Sequence, residues 1–129
     1  MTDSKLILIV DDEPAFREIF SAKLGADGFR TEIAENGEIG VAKAKELKPD
    51  LILMDVKMPV MDGPSAVLKL REDPEMKDTK VAFLTSLGDP RLEMQEINRK
   101  FSEDFGAQGY LKKTDDLDTL NEKIKEFLK

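Results

Sequence analysis

The segment Leu6-Ile7-Leu8-Ile9-Val10-Asp11-Asp12-Glu13-Pro14 decides the fold class. Its first five residues are all apolar, which is typical of a strand that is buried on both faces of a sheet. Pro14 suits the first turn of a helix, because a backbone N–H would have no helical partner there. A buried strand that leads directly into a helix is the first half of a βαβ unit, which indicates a parallel sheet.

The same alternation of short apolar runs and longer amphipathic stretches continues along the whole chain. The predicted strands are residues 6–10, 29–34, 51–54, 81–84 and 108–111. The predicted helices are residues 14–27, 38–47, 64–71, 91–105 and 117–128. In the first of these helices, Phe16, Ile19, Phe20, Lys23 and Leu24 recur at helical spacing. Five consecutive β–α units predict an α/β fold with helices on both faces of the sheet.

The composition of the strands predicts their order. Strands one, three and four contain only apolar residues and belong in the centre, whereas strands two and five also contain polar residues and belong at the edges. The sheet order is therefore 2-1-3-4-5, that of a flavodoxin-like, doubly wound, five-stranded parallel sheet. We interpret residues 1–129 as a single domain, because the chain ends soon after the last helix and leaves no room for an output domain.

The composition excludes several classes of function. The net charge is −7 and no basic stripe interrupts it, which argues against direct binding of nucleic acid. No apolar run reaches the length of about 18 residues that a membrane span needs, so we expect no membrane association. The absence of cysteine fits a reducing cytoplasm, and the absence of histidine removes the commonest general base and any internal phosphohistidine.

Reactive side chains follow the carboxyl ends of four predicted strands. They are Asp11, Asp12, Asp55, Thr85, Ser86, Lys112 and Lys113. Taken one at a time, they have ordinary explanations as helix caps, turn residues or solvated lysines. However, the four strands are neighbours in the predicted order, and their carboxyl ends share one edge of the sheet. We therefore expect these residues to converge on one crevice.

The chemistry of such a crevice follows from its charges. At a separation of about 4 Å and an effective dielectric constant of about 20, each pair of carboxylates costs about 4 kcal/mol. The cluster must therefore bind a cation or remain partly protonated. Oxygen ligands alone favour Mg²⁺ or Mn²⁺ over Zn²⁺. A metal beside a lysine and a hydroxyl neutralises a transferring phosphoryl group, and an aspartate there can form an acyl phosphate.

Four stretches together make the chain resemble the receiver domain of two-component response regulators over essentially its whole length. They are IVDDEP at residues 9–14, DVKMPVMDG at 55–63, FLTS at 83–86 and GAQGYLKK at 106–113. The resemblance implies a signalling switch rather than an enzyme, with Asp55 as the phosphoacceptor. It further implies that the donor is a histidine kinase or a histidine phosphotransfer protein, and that the phosphorylated domain signals to a protein effector.

The resemblance also assigns the metal ligands. In this resemblance, Asp12 binds Mg²⁺ or Mn²⁺ directly, and Asp11 binds it mostly through water. Asp55 and the backbone carbonyl of Lys57 complete the set. Thr85 is the switch hydroxyl, and Lys113 pairs with a phosphoryl oxygen.

Tyr110 is the aromatic rotamer switch in this resemblance, and the output face comprises the fourth helix, the fifth strand and the fifth helix. The chain also departs from the family pattern in three places. Thr114 replaces a frequent proline, which leaves the isomer of the preceding peptide bond open. The segment between Thr85 and Lys113 is longer by about a turn and a half of helix, which we assign to the fourth helix. Lys57, two residues after the phosphoacceptor, predicts slow loss of the phosphoryl group, because its long side chain can block the approach of water.

Two alternatives, a phosphatase and a flavin-binding protein, fail at particular residues. A haloacid-dehalogenase phosphatase needs an aspartate where Lys57 stands. A flavodoxin needs a phosphate-binding loop where the acidic residues 11–13 would repel phosphate. One alternative stays open, a pseudo-receiver that binds proteins without phosphorylation. The alternative to a single-domain protein is a domain excised from a longer regulator.

Overall fold

The strands form one parallel sheet in the predicted order. The computed structural model describes residues 4–56, 58–85 and 106–129. Its strands are β1 (Leu6–Val10), β2 (Arg30–Ala34), β3 (Leu51–Asp55), β4 (Val81–Thr85) and β5 (Gly109–Lys112). Their order is β2-β1-β3-β4-β5, and each of the four pairings is parallel. The predicted doubly wound, flavodoxin-like α/β fold is confirmed.

The helices begin close to the predicted residues. They are α1 (Pro14–Ala26), α2 (Gly37–Leu47), α3 (Gly63–Glu72) and a C-terminal helix (Leu117–Phe127). Asn36, Asp62 and Asp116 cap the last three, each side chain accepting a hydrogen bond from the backbone N–H three residues later. The predicted fourth helix lies outside the described residues. Within the described ranges, no helix combines the length and apolar character needed to cross a bilayer.

Two layers of apolar side chains cover the sheet, because successive residues of a strand point to opposite faces. On one face, the strands pack against α2 and α3 through Leu8, Val10, Ile52, Met54, Val81, Phe83, Ala44, Ala66, Val67 and Leu70. On the other face, they pack against α1 and the C-terminal helix through Ile7, Ile9, Leu51, Leu53, Ala82, Leu84, Leu111, Phe20, Leu24, Leu120 and Ile124. Burial from both sides explains why the three central strands are apolar throughout, except for Asp55 and Thr85, which end β3 and β4.

The edge strands differ from the central ones as their composition predicts. Every residue of β1, β3 and β4 is buried, whereas β2 and β5 are partly exposed along their length. Helical spacing is a weaker guide to burial. Phe20 and Leu24 of α1 are fully buried, but Ile19, which shares their spacing, is 55% exposed. Helical spacing indicates which side of a helix faces the sheet, but it does not indicate how much of the helix surface the sheet covers.

Gly63 sets how closely α3 approaches the end of β3. Its N–H donates a hydrogen bond to the carbonyl of Val56 at 3.0 Å. A Cβ atom at Gly63 would lie 2.3 Å from the backbone carbonyl oxygen of Asp55. Since real Cβ atoms do not approach that closely, an alanine would push α3 and the end of β3 apart.

We therefore expect Gly63→Ala to lower the free energy of unfolding by about 1–3 kcal/mol, the usual cost of overpacking. Gly25→Ala is the matched control, because a Cβ there meets nothing within 4 Å. It should leave stability unchanged or raise it by at most about 1 kcal/mol. Urea unfolding followed by circular dichroism measures both values. Equal stabilities for the two variants would contradict the close approach.

Candidate functional site

Three carboxylates meet at the carboxyl edge of the sheet. Asp11 follows β1, Asp55 ends β3, and Asp12 is the next residue along the first loop. One oxygen from each lies within 4.8 Å of the others. Asp11 and Asp55 are buried, whereas Asp12 is exposed. The convergence of these residues, predicted from the strand order, is confirmed.

Three hydrogen bonds hold Asp11, one each with β2, with the loop itself and with α1. Its N–H donates to the carbonyl of Ala34 at 3.0 Å, which extends the pairing of β1 with β2. Its Oδ1 accepts a hydrogen bond from the N–H of Glu13 at 2.9 Å, and its carbonyl oxygen accepts one from Nη1 of Arg17 at 2.7 Å. These contacts fix the buried carboxylate beside Asp55.

The acidic pair does not cap α1. The N-cap residue is Glu13, and no side chain makes a capping hydrogen bond there. The ordinary explanation of Asp11 and Asp12 as helix caps is therefore wrong. Pro14 at the first helical position leaves one fewer N–H to be capped, so the helix can begin without a side-chain cap.

Lys113 brings a positive charge into the acidic cluster. Its Nζ lies 2.7 Å from Oδ2 of Asp11 and 3.7 Å from Oδ2 of Asp55, and it also contacts Oε1 of Glu13. The side chain is only 7% exposed, and Nζ lies 4.6 Å from the centre of the Phe16 ring. The N–H of Lys113 donates to the carbonyl of Thr85 at 2.9 Å, which continues the pairing of β5 with β4.

The crowded charges change the proton affinities of the buried groups. Burial raises the pKa of Asp11 above its ordinary value, although Lys113 and the N–H of Glu13 act in the opposite direction. Burial alone would lower the pKa of Lys113, but its contacts with Asp11 and Glu13 and the charge of Asp55 outweigh that effect and raise it. Lys113 is therefore charged at neutral pH, whereas ionised Asp11 remains only partly compensated.

The other predicted site residues of the described ranges lie on β4 and β5. Thr85 ends β4 and is 4% exposed, and its hydroxyl donates a long hydrogen bond of 3.5 Å to the carbonyl of Leu111. Tyr110 is half-buried on β5 and packs against the core on the side of α2 and α3. The peptide bond before Thr114 is not cis. Lys57 and Ser86 lie outside the described residues.

Comparison with known proteins places this arrangement in a family. The family model for the response regulator receiver domain matches residues 7–125. The chain belongs to the response regulator receiver family. Receivers are phosphoacceptor signalling modules rather than enzymes, and an aspartate triad such as Asp11, Asp12 and Asp55 is typical of their Mg²⁺ site.

Some relatives of this chain have about its length, and others are about twice as long. Protein PilH of Pseudomonas aeruginosa is 37% identical over 95% of this chain and 96% of its own length. The DNA-binding dual master transcriptional regulator RpaA of Synechocystis is 35% identical over 95% of this chain, which spans 48% of that protein. The solved structure of the chemotaxis protein CheY4 of Vibrio cholerae superposes with a TM-score of 0.85 at 30% identity, covering 98% of this chain and all of that one.

The receiver site fits a hard cation on its own geometry. Oδ2 of Asp11 is buried, and although Lys113 lies beside it, this oxygen lacks a regular hydrogen bond among the described residues. Three carboxylates face one lysine ammonium, so the cluster keeps an excess of negative charge. A divalent cation would neutralise that excess and satisfy the buried oxygen.

The sequence did not indicate Glu13 or Phe16 as parts of this site. Both contact Lys113, from positions about one hundred residues earlier in the chain. Glu13 stands next to the acidic pair, which is a weak signal, because an exposed acidic residue near a helix start is common. Only the strand order and the direction of the Lys113 side chain bring these groups together.

We expect Asp12→Ala to weaken Mg²⁺ binding by at least about tenfold, because a carboxylate near a bound cation contributes several kcal/mol even at an effective dielectric constant of about 20. Stability in EDTA should stay equal or rise, since one of three repelling charges is removed. Isothermal titration with Mg²⁺ measures the affinity. Asp78→Ala is the control, because Asp78 is exposed and lies far in sequence from all three aspartates of the cluster. Unchanged Mg²⁺ affinity in Asp12→Ala would show that the cluster is not a cation site.

Proposed function

We propose that this protein is a phosphorylation-controlled response regulator that receives its phosphoryl group on Asp55. The observation that carries the proposal is the environment of this carboxylate, which ends β3 with Asp11 and Asp12 beside it and Nζ of Lys113 at 3.7 Å. As in the receiver family, the donor is a phosphohistidine, and it belongs to another protein, a kinase or phosphotransfer protein, because this chain has no histidine. A cytoplasmic location, predicted from the sequence, suits such donors.

The transfer needs the charge of the site to be balanced. We infer that Asp12 binds Mg²⁺ directly, Asp11 mostly through water, and Asp55 and the Lys57 carbonyl as further ligands. When bound, the ion neutralises charge on the transferring phosphoryl group. An oxygen of Asp55 attacks phosphorus, the P–N bond to the donor histidine breaks, and its electron pair returns to the imidazole. Lys113 then pairs with an oxygen of the new acyl phosphate.

Phosphorylation must also change the conformation of the domain. The phosphoryl group adds about −1.5 to −2 charges and three acceptor oxygens. We infer that the Thr85 hydroxyl turns toward them, which is inexpensive because its present hydrogen bond to Leu111 is long at 3.5 Å. Tyr110 then moves into the space that Thr85 vacates. Shifting a mostly inactive population to a mostly active one needs about 5.5 kcal/mol, which a few charge-assisted hydrogen bonds at about 1.5–3 kcal/mol each can supply.

The proposed output surface includes β5, the C-terminal helix and the predicted fourth helix, and its partner is a protein. A pseudo-receiver that signals without phosphorylation is the weaker proposal. The acidic residues and the lysine that phosphorylation requires are all present at one edge of the sheet, and a module kept only for its surface would not need them there.

Incubation with Mg²⁺ and a small phosphodonor such as acetyl phosphate should add one phosphoryl group to the wild-type chain. Asp55→Asn keeps the shape of the side chain but removes the nucleophile, so it should take none. The mass of the intact protein, measured at neutral pH, gives the stoichiometry. Asp78→Asn is the control for the loss of one exposed carboxylate and should label fully.

Equal labelling of Asp55→Asn and the wild type would reject the assignment. The labelled sample has a second readout, the amide shifts in a ¹H–¹⁵N spectrum. Shifts that reach Tyr110 and the C-terminal helix would support the switch. Shifts restricted to the loops around Asp55 would argue against a conformational output.

The lifetime of the acyl phosphate should depend on Lys57. The hypothesis rests on the resemblance to the receiver family, in which the side chain two residues after the phosphoacceptor borders the path of the attacking water. In this chain that residue is a long cation, which can block the in-line approach of water. Lys57→Asn should then lose the phosphoryl group several-fold faster, because a short amide leaves the path open and can orient the water. Decay of the phosphorylated mass after removal of the donor measures the rate, with Lys77→Asn as the control. A decay rate equal to or slower than that of the wild type would end the hypothesis.

A further inference from the structure

We propose that Glu13 is a positioning residue that holds Lys113 on the α1 side of the crevice and competes with the phosphoryl group for it. The inference rests on the proposed function, because it concerns the lysine that pairs with the acyl phosphate. It adds a fourth carboxylate to the site, one whose effect on phosphorylation is opposite to that of the aspartates.

The position of Lys113 supports this proposal. Its Nζ lies 1.0 Å closer to Asp11 than to Asp55, at 2.7 against 3.7 Å, and it also contacts Glu13. Asp11 and Glu13 both belong to the loop that leads into α1. The Phe16 ring, from the first turn of α1, lies 4.6 Å away. The ammonium is therefore drawn toward the beginning of α1 rather than centred over the phosphoacceptor.

The two carboxylates that hold Lys113 differ in their freedom to release it. Asp11 is fully buried, and its carboxylate and carbonyl oxygens are fixed by Glu13 and Arg17. The Glu13 side chain is 60% exposed and does not cap its helix. It can turn into water and recover its hydration, which a buried carboxylate cannot do.

A phosphoryl group on Asp55 changes the balance of these contacts. An ammonium has three N–H donors, and the new acceptor oxygens appear on the carboxylate that is now 3.7 Å from Nζ. Lys113 must turn toward them, and Glu13 is the partner that it gives up. Glu13 thus stabilises the unphosphorylated arrangement, and its removal should favour the phosphorylated one.

The test uses beryllium fluoride, which occupies the place of a phosphoryl group on an aspartate, at a fixed saturating concentration of Mg²⁺. We expect Glu13→Gln to bind it about fivefold more tightly than the wild type. This factor corresponds to the free energy of one half-exposed ion pair, which the variant no longer has to break. Titration followed by ¹⁹F NMR gives the affinity. Glu18→Gln removes the same charge from the exposed side of α1 and should bind with wild-type affinity.

A second measurement separates the contact from a general effect of charge. The ¹⁵N resonance of the Lys113 ammonium should shift between the unliganded wild type and unliganded Glu13→Gln, and should not shift in Glu18→Gln. An unchanged resonance in Glu13→Gln would overturn the proposal, even if the affinity rose. Unchanged or weaker binding of beryllium fluoride by a Glu13→Gln variant with wild-type thermal stability would overturn it as well.

Failure of the proposed function would give a different pattern. In that case the wild type and Asp55→Asn would behave alike, with neither binding beryllium fluoride. If the wild type binds it, Asp55→Asn does not, and Glu13→Gln equals the wild type, then the role of Glu13 is rejected while the phosphoacceptor stands.

Discussion

The repulsion among Asp11, Asp12 and Asp55 is the constraint on which the rest of the site depends. Their oxygens lie within 4.8 Å of one another, and two of the three side chains are buried. Such a cluster is tolerable only with positive charge nearby. Lys113, the residue after β5, supplies part of it from the far end of the chain, and it reaches the cluster because β5 pairs with β4.

The same buried charges that the site needs for its function lower the stability of the folded protein. Burial raises the pKa of Asp11, so keeping it ionised at neutral pH costs the folded protein free energy that a bound cation would recover. The backbone around the site is equally demanding, because Gly63 leaves no room for a side chain beside the Asp55 carbonyl. The fold therefore places Asp55 where both charge and space are tight, and apolar packing on the two faces of the sheet offsets the cost.

The sequence was sufficient for the architecture because the burial of each strand is visible in its own composition. Leu51 to Met54 contains no polar residue and is central, whereas Arg30, Thr31 and Glu32 mark β2 as an edge. Convergence of the aspartates and Lys113 then followed from the strand order. The contact between Glu13 and Lys113 could not be predicted in this way, because no local sequence pattern indicates a contact between residues that are one hundred positions apart. Ile19 was similarly ambiguous, since helical spacing does not say how far the sheet extends beneath a helix.

The separation of the site residues along the chain also bears on how the protein is made. Asp11, Asp55 and Lys113 come from the beginning, middle and end of the sequence, and Lys113 reaches the crevice only when β5 pairs with β4. A nascent or locally unfolded chain therefore presents Asp55 without Lys113 beside it. Under the proposed function, the ability to hold the signal reports that the last strand has docked, so that an unfinished molecule cannot transmit it.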